Sequence, residues 1–580
     1  MLKLARFLKP YTGSLLLVVG LIFTQVMADL YLPNLMSQIV NVGIANGDID
    51  FIMHTGLTML GIALLGMCCS ISSSFFSSRN ALGAARDLRN AVFTKIESFS
   101  QTEFDKFGSA SLITRTTNDV QQMQMMVMMA QRMVVRAPLA FVGALLNAIN
   151  KDVSLMQILL FSLPLIILVI YTTFSRATPL FSLGQKKLDR LNQVLREGLS
   201  GVRVIRAFHR DEYQSERFNT ANYDLTGNAI KVQRTMARMM PLMMLIMNFT
   251  TIAIIWFGAE NIDRGFLAIG DLMAFSQYIM TMLFSILNMS FMFLMFPRAA
   301  VSGERINEVL EQELSIKESL NTIPLSEESK KRKGLSLVFD KVHFRYPGGE
   351  NTALTDVSFR ADPGETVAII GSTGSGKTTI AQLIQRFYDI ESGSISIDGI
   401  EIKDLALEEL RQQIGYVPQR SILFSGSVAA NLLYGKDDAT AIDRAHALNI
   451  AQAWDFVDAL PEKEDDFVAQ GGGNFSGGQK QRLSIARALI RDPRLLVFDD
   501  SFSALDFKTD AKLREALAEH NAETTRLIIA QRVSTIMYAD RIIVLEEGRL
   551  VGMGTHEELM QSCQVYLEIV KSQLADEEIA

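Results

Sequence analysis

Apolar residues in the first 300 positions gather into six long stretches, which shorter polar segments separate. Each stretch is near the length of about 20 residues that an α-helix needs to cross the hydrocarbon core of a bilayer. The pattern predicts six membrane-spanning helices, at residues 14–38, 52–76, 127–149, 153–174, 239–260 and 268–296. From residue 335 onward, short apolar runs alternate with charged and glycine-rich segments, which predicts a soluble α/β domain.

Two connections between the spans are long and basic. Residues 77–120 contain six Lys or Arg and residues 175–238 contain twelve, whereas the three opposite loops together offer only Lys151 and Arg264. By the positive-inside rule, both long connections lie in the cytoplasm, and so do both termini. We expect a multi-pass protein of a bacterial plasma membrane, since no Arg-rich presequence precedes the first span.

The same two connections carry helical periodicity, so they are expected to continue the spans into the cytoplasm. Turn-prone segments at residues 106–109 and 208–211 predict the tips of these helical extensions. We interpret both connections as coupling loops that dock onto a cytosolic domain. Solvated hairpins with no coupling role are the alternative.

Charge and cysteine content narrow the classes of function. The formal net charge is −7 and no basic stripe stands out in the C-terminal half, so no nucleic-acid partner is expected. The cysteines at 68, 69 and 563 lack the spacing of a disulfide framework or a metal site.

A phosphate-binding motif begins at residue 371 and fits G-x-x-x-x-G-K-[ST]. A strand-like run at 366–370 precedes it and a helical run at 379–384 follows, which is the context that the motif requires. Glycines let backbone N–H groups converge on phosphates; Lys377 is expected to reach the β- and γ-phosphates and Thr378 to ligate magnesium. The predicted ATP-binding residues of this motif are Gly371, Ser372, Thr373, Gly374, Ser375, Gly376, Lys377, Thr378 and Thr379. A buried strand ending in Asp499 follows about 120 residues later.

Between these two motifs lies Phe475-Ser476-Gly477-Gly478-Gln479, which resembles the signature of the ABC transporter family. The resemblance covers essentially the whole chain, and six spans ahead of one soluble domain resemble an exporter-type half-transporter. It implies a membrane α-helical bundle fused to an α/β P-loop nucleotide-binding domain. The division implied is a transmembrane domain at 1–311, a polar linker at 312–334 and a nucleotide-binding domain at 335–580.

The resemblance also implies roles for single residues. Tyr346 looks like the aromatic residue that stacks on adenine, and Gln419 looks like a contact for magnesium and water. Asp499 is expected to be a further magnesium ligand, and residues 503–506 resemble the loop that crosses to a partner domain. In this family two nucleotide-binding domains enclose two ATP molecules, and each site pairs the P-loop of one chain with the signature of the other. Ser476, Gly477, Gly478 and Gln479 would therefore act on the partner's ATP.

Three positions depart from the family pattern. Asp500 stands where the family has the glutamate that polarises the attacking water, and Gln531 stands where it has a histidine that contacts the γ-phosphate. Aspartate withdraws the carboxylate by about 1.5 Å, one carbon–carbon bond, and a misplacement of about 1 Å can cost on the order of 100-fold in rate. Gln470 replaces a glutamate in the loop before the signature, which bears on domain coupling more than on chemistry.

We interpret Asp500 and Gln531 as marks of a degenerate site that binds Mg-ATP but hydrolyses it poorly; a slow but working Asp500 base is the alternative. A homodimer would then have no site that hydrolyses ATP efficiently. The signature is nevertheless intact, and a signature serves the ATP site of the opposite chain. This favours one subunit of a heterodimeric exporter, whose partner is a second, non-identical ABC half-transporter. Two other functions stay open: a homodimeric lipid flippase, and a non-hydrolysing, ATP-sensing subunit that regulates a partner.

The exported compound is expected to be hydrophobic or amphipathic, as in multidrug efflux, and the spans contact membrane lipid. Methionine is abundant at residues 123–129 and 236–247, and its flexible thioether suits varied apolar ligands, although ordinary packing explains it equally. One face of the sixth span either lines a cavity or faces lipid; it carries Met280, Phe284, Leu287 and Phe291.

The charges that fall inside the predicted spans include Asp29, Arg132 and Arg136. Intramembrane charges usually face a bundle interior or a cavity. If all three face one cavity, that cavity is amphipathic; snorkelling of the two arginines to the membrane surface is the alternative.

Overall fold

The computed structural model describes residues 2–318 and 321–577, without the side chains of residue 2, residues 290–295 and residues 574–577. The chain forms two compact units. The first unit comprises Met1–Glu97 and Ala110–Gln312, and the second comprises Ser98–Ser109 and Glu313–Ala580. The second unit thus includes a short segment from the first of the two long connections.

In the part of the chain that the structure describes, the first unit consists of helices joined by short turns and contains no strand. Six helical stretches are long and apolar enough to cross a membrane: Lys3–Ile44, Ile49–Glu97, Ser109–Lys151, Gln157–Ser200, Asp211–Asp263 and Ile269–Met289. The sixth belongs to a helix that continues to Glu311. The predicted bundle of six membrane helices is therefore confirmed, and we number these stretches span 1 to span 6.

Several spans are composites of shorter helical segments. Span 1 joins a 3-10 helix at Leu2–Tyr11, an α-helix at Thr12–Gln38 and a π-helical segment at Ile39–Ile44. Span 3 runs through Ser109–Thr114, Arg115–Asp119 (π), Val120–Met129, Ala130–Val134 (π) and Val135–Lys151. Span 5 joins Asp211–Ala237 to Met239–Asp263, and a short helix at Val202–Ala207 precedes it.

The fourth span begins at Gln157, four residues later than the sequence predicts. The Asp152 carboxylate causes the delay because it accepts hydrogen bonds from the backbone N–H groups of Ser154, at 2.7 Å, and Leu155, at 3.3 Å. This local side-chain capping holds residues 153–156 in turns instead of a helix.

The second unit contains twelve strands in the part that the structure describes: β1 Leu337–Phe344, β2 Leu354–Ala361, β3 Thr366–Gly371, β4 Ser392–Ile397, β5 Ile400–Glu401, β6 Ile414–Val417, β7 Gly426–Ser427, β8 Phe467–Val468, β9 Leu495–Asp499, β10 Thr525–Ile529, β11 Arg541–Glu546 and β12 Arg549–Gly554. They form an antiparallel sheet in the order β2-β1-β4-β5, a main sheet in the order β12-β11-β3-β10-β9-β6, and the pair β7-β8. In the main sheet, five neighbouring strands are parallel and β12 is antiparallel.

Helices and short 3-10 turns surround these sheets. They lie at Gln101–Phe107, Glu327–Lys331, Lys377–Ile384, Leu407–Gln412, Val428–Leu433, Ala441–Ile450, Trp454–Asp458, Lys463–Asp465, Gln470–Gly472, Gly477–Leu489, Phe507–His520, Val533–Ile536, His556–Ser562 and Gln564–Glu577. Strand β9 is buried at all five positions, as expected for a parallel strand that is covered on both faces. The predicted α/β domain is confirmed.

The sheet order decides which loops meet. In an open parallel sheet, ligands bind in loops that leave the carboxyl ends of the strands. The neighbours β3, β10, β9 and β6 end at Gly371, Ile529, Asp499 and Val417. The loops that follow them carry the phosphate-binding motif, Gln531, Asp500 and Gln419, so four separate parts of the sequence converge at one edge.

A buried ion pair fastens the segment that leads into β1. The Arg494 guanidinium lies 2.7 Å from the Asp398 carboxylate, and both side chains are less than a tenth exposed. Arg494 also donates to the carbonyl oxygens of Arg332, at 2.8 Å, and Gly334, at 2.9 Å. Although burial favours the neutral acid, hydrogen bonds from Ser329, the Ser336 backbone and Arg494 hold the pKa of Asp398 below its ordinary value.

The segment Ser98–Ser109 is held by buried polar contacts within the second unit. Glu103 is 1% exposed and accepts a hydrogen bond from the backbone N–H of Ser315 at 2.9 Å. The Tyr388 hydroxyl donates to the Asp105 carboxylate at 2.6 Å. Burial, together with this carboxylate, raises the pKa of Tyr388, so the phenol stays a hydrogen-bond donor at neutral pH.

Candidate nucleotide site

The loop between β3 and the helix Lys377–Ile384 has the backbone of a phosphate cradle. Gly374 and Gly376 have φ angles of 85° and 98°, a region that L-residues rarely adopt. A Cβ atom on Gly376 would lie 2.6 Å from Leu354 Cδ2, and one on Gly371 would lie 2.1 Å from the Leu545 carbonyl oxygen. The cradle therefore requires glycine at these positions.

Lys377 is folded into the loop that it would use to hold phosphates. Its Nζ donates to the carbonyl oxygens of Gly371, at 2.8 Å, and Ser372, at 2.7 Å, and to the Ser375 hydroxyl at 3.3 Å. Burial lowers the pKa of Lys377, while the carboxylates of Asp500 and Asp499 act in the opposite direction. Within the part of the chain that the structure describes, this buried ammonium group donates to neutral oxygens, so it is suited to binding an anion.

Thr378 and Asp499 provide adjacent hard oxygen atoms. Thr378 Oγ1 donates to Asp499 Oδ1 at 3.1 Å, and Asp499 is 1% exposed. Burial raises the pKa of Asp499, and the neighbouring Asp500 charge adds to this effect. Hydroxyl and carboxylate oxygens are the ligands that Mg²⁺ prefers, so these residues fit a magnesium ion, whose charge would relieve the crowding of the two carboxylates.

Asp500 is fixed by two amide side chains. Gln531 Nε2 donates to Asp500 Oδ2 at 2.9 Å, and Gln419 Nε2 donates to the same oxygen at 3.1 Å. Asp500 also has a φ of 49°, in the left-handed region, at the point where the chain leaves β9. Both lone pairs of Oδ2 are therefore engaged by protein donors.

Tyr346 lies on the other side of the cradle. Its hydroxyl is 2.9 Å from Thr379 Oγ1 and donates to Gln382 Oε1 at 3.0 Å. Its ring packs edge-to-face against Tyr388, with the centroids 5.2 Å apart. Through the Tyr388–Asp105 hydrogen bond, this aromatic pair connects the nucleotide site to the segment Ser98–Ser109.

These residues enclose one cavity of about 290 Å³. The predicted residues in its wall are Tyr346, Thr373, Gly374, Gly376, Lys377, Thr378, Thr379, Gln419, Asp499, Asp500 and Gln531. Gly371, Ser372 and Ser375 belong to the same loop and hold Lys377. Ala353 and Ile529 also line the cavity, and the sequence analysis does not predict them. Ile529 is the last residue of β10, so the strand order of the main sheet places it at the edge where the nucleotide site lies.

The signature residues do not contribute to the described wall of that cavity. Ser476 caps the helix Gly477–Leu489: its hydroxyl accepts from the Gln479 backbone N–H at 3.3 Å, and the Gln479 side chain accepts from the Ser476 backbone N–H at 2.9 Å. Ser476 and Gly477 are exposed, and a Cβ atom on Gly477 would meet nothing within 4 Å. The start of this helix is thus an open surface whose N–H groups favour an anion.

Comparison with known proteins gives two matches to protein families. Residues 15–287 match the ABC transporter transmembrane region, and residues 354–503 match the ABC transporter family. The chain is 40% identical, over 98% of its length and 97% of the relative's, to an uncharacterized ABC transporter ATP-binding protein of Mycobacterium tuberculosis. It is 39% identical to one of Bacillus subtilis, over 100% of this chain and 99% of the relative.

Two further similarities are to a lipid flippase and to a solved exporter structure. The chain is 29% identical to the ATP-dependent lipid A-core flippase of Chromobacterium violaceum, over 99% of this chain and 97% of that protein. Its fold matches the structure of a bacterial Atm1-family ABC exporter with ATP bound, with a TM-score of 0.80 and 24% identity over 97% of this chain and 98% of that chain.

Proposed function

Because the chain belongs to the ABC transporter family and has the fold of an ABC exporter, we propose that it is one subunit of a heterodimeric exporter. In this proposal its own P-loop site binds ATP and hydrolyses it poorly. Its signature residues complete the competent site of a second, non-identical half-transporter. The hydrogen bonds around Asp500 are the observation that carries the proposal.

A general base must present a free lone pair to the water that it activates. In this chain Asp500 Oδ2 already accepts from Gln419 and Gln531, so Oδ1 is the oxygen left for a water, and the side chain is one methylene shorter than glutamate. Gln531 donates an amide hydrogen but has no proton to exchange at neutral pH. The site therefore retains the groups that hold a nucleotide and lacks a well-placed base.

The binding groups of the site are complete. Lys377 would contact the terminal phosphates, Thr378 and Asp499 would hold Mg²⁺, and Tyr346 would stack on adenine. Bound Mg-ATP supplies the phosphoanhydride bond and the charge that draws two nucleotide-binding domains together. The exposed start of the helix Gly477–Leu489 would meet the ATP on the partner chain, which explains an intact signature beside an impaired base.

The proposal also covers orientation and cargo. The charge distribution of the connections supports cytoplasmic termini and a cytoplasmic nucleotide-binding domain in a bacterial plasma membrane. The cargo would be a hydrophobic or amphipathic compound, as in multidrug efflux. A homodimeric lipid flippase is the second candidate, and the similarity to the Chromobacterium violaceum flippase favours it.

Purification of the tagged chain from its native membrane separates these two functions. We expect a complex of two different half-transporters by native mass spectrometry, and a low ATPase rate for the chain purified alone. Gly477→Glu should abolish the activity of the complex, because it blocks the signature that serves the partner's site. A pure homodimer that hydrolyses ATP as fast as the native complex would overturn the proposal in favour of the flippase.

A further inference from the structure

Spans 1, 2, 3 and 6 enclose a cavity of about 470 Å³ within the first unit. Its wall contains the three charged residues that the sequence analysis singles out: Asp29, Arg132 and Arg136. Met280 and Phe284 of span 6 also line it, whereas Leu287 is buried and the side chain of Phe291 lies outside the described residues. The cavity is therefore both charged and apolar.

The charges in this cavity do not cancel. Arg136 Nη2 lies 3.2 Å from Asp29 Oδ2, so these two groups form an ion pair. Arg132 donates to the Ser74 hydroxyl, and among the described residues no carboxylate forms an ion pair with it. One guanidinium charge is thus left without a counterion. Ionisable side chains within a span are rare and mostly face the bundle interior or a cavity, which marks Arg132 as a candidate functional group.

Arg132 lies in the cavity wall next to a residue that is anchored between two spans. Arg132 lies in the π-helical segment Ala130–Val134 of span 3, and such segments are frequent at functional sites. Its neighbour Gln131 is buried and accepts a hydrogen bond from Asn80 of span 2 at 3.2 Å. Because Gln131 is anchored between the spans, the next residue is directed away from that contact.

We propose that this cavity binds an anionic amphiphile, with one acidic headgroup on Arg132 and an apolar tail along Met280 and Phe284. Guanidinium groups bind sulfonate, phosphate and carboxylate oxygens through paired hydrogen bonds. The Asp29–Arg136 pair adds polarity without net charge, which suits a headgroup with a single negative charge. This inference rests on the proposed export function, since it names the cargo class of that transporter.

The test uses the full chain in phosphatidylcholine nanodiscs, without ATP. A diazirine-bearing dodecyl sulfonate and its neutral sulfonamide are crosslinked over a range of concentrations, and the sites are mapped by mass spectrometry. We expect the sulfonate to label spans 1, 2, 3 and 6 saturably, at about 10-fold to 100-fold lower concentration than the sulfonamide, as for a hydrogen bond to a charged group. Equal half-saturation of the two probes on the unmodified chain would overturn the inference, whether or not any variant folds.

Variants locate the effect at one side chain. Arg132→Gln should remove the preference for the sulfonate and Arg132→Lys should retain most of it. Arg176→Gln, an exposed arginine of span 4 outside the cavity, should change nothing. An unchanged preference in Arg132→Gln would also overturn the inference.

Replacing part of the phosphatidylcholine with phosphatidylglycerol distinguishes the source of the anion. A raised half-saturation concentration of the sulfonate identifies membrane lipid as the occupant, and an unchanged one identifies a free amphiphile.

The two proposals fail separately. Crosslinking needs neither a partner chain nor hydrolysis, so it tests the cavity alone. If no heterodimer is found, a preference of the cavity for the anionic probe would still support the inference about the cavity. If the complex transports a neutral compound saturably and the cavity shows no preference for the anionic probe, the proposed export function would still hold.

Discussion

Restoring glutamate at position 500 and histidine at position 531 should convert the chain's own site into one that hydrolyses ATP. At present Asp500 Oδ2 is held by Gln531 at 2.9 Å and by Gln419 at 3.1 Å. Asp500→Glu extends the carboxylate by about 1.5 Å, past the position at which the two amides now hold it. Gln531→His replaces one of those amides with an imidazole that can contact the γ-phosphate.

The size of the effect follows from the geometry. A displacement of about 1 Å at a reacting group costs on the order of 100-fold, which corresponds to about 2.7 kcal/mol of barrier. Because Asp500 and Gln531 share a hydrogen bond, their effects should not add. Asp500→Glu alone should recover only part of the rate. The double variant should hydrolyse ATP at least about 100-fold faster than the unmodified chain.

The assay measures phosphate release from the purified chain at a concentration where native mass spectrometry detects a homodimer, since each of its sites would then have an intact signature. Bound nucleotide is measured in parallel, so that a change in rate is separated from a change in affinity. Asp356→Glu is the matched control, since Asp356 is exposed and has a φ of 55°, close to the 49° of Asp500. This control should leave the rate unchanged and shows whether glutamate is tolerated in a left-handed backbone.

One result would refute the reasoning. If the double variant binds ATP with unchanged affinity and hydrolyses it no faster than the unmodified chain, the two residues do not limit hydrolysis. A high rate in the unmodified chain alone would refute it equally, because Asp500 would then be a working base.

Three further changes test other parts of the second unit. Gly376→Ala places a Cβ 2.6 Å from Leu354 Cδ2 at a φ of 98°, so the thermal shift on adding ATP should disappear, and an unchanged shift would contradict the cradle. Tyr388→Phe removes a hydrogen bond to the Asp105 carboxylate worth about 1.5–3 kcal/mol, so amides of residues 101–107 should exchange about 10-fold to 100-fold faster, and unchanged protection would argue against this anchor. The folded pKa of Asp398 is depressed, so its contribution is present above the unfolded pKa of about 3.9 and is lost as pH falls. Asp398→Asn should lower the free energy of unfolding at neutral pH by about 3–5 kcal/mol and flatten its decline in acid, and an unflattened acid decline in denaturant titrations would count against the assignment.

The sequence predicts those features that depend on local pattern. Hydropathy locates the six spans because their length is set by the bilayer, and the glycine spacing at 371–378 locates the cradle because the loop is continuous in the chain. The start of span 4 was predicted four residues early because a single side chain, Asp152, caps the backbone there. Such a contact has no signature in a hydropathy profile.

Contacts between distant segments are the part that the sequence could not supply. The sequence identifies Asp500, Gln531 and Gln419 as unusual or functional positions. It does not show that the two glutamine side chains bond to the same oxygen of Asp500. That convergence depends on the strand order of the main sheet. The sequence also left open whether Arg132 and Arg136 snorkel to the membrane surface or share one cavity with Asp29, because helical periodicity does not say which face is turned inward.

The hydrogen bond between Tyr388 and Asp105 has a consequence for biosynthesis. The two residues are 283 positions apart, and a ribosome adding about 5–20 residues per second needs roughly 15–60 s to cover that distance. During this interval the segment Ser98–Ser109 has been made but its packing partner has not. During that interval its apolar and acidic side chains lack the partners that bury them in the folded second unit. A C-terminal fragment expressed by itself would have the opposite deficiency, because the Tyr388 hydroxyl would lack its Asp105 acceptor.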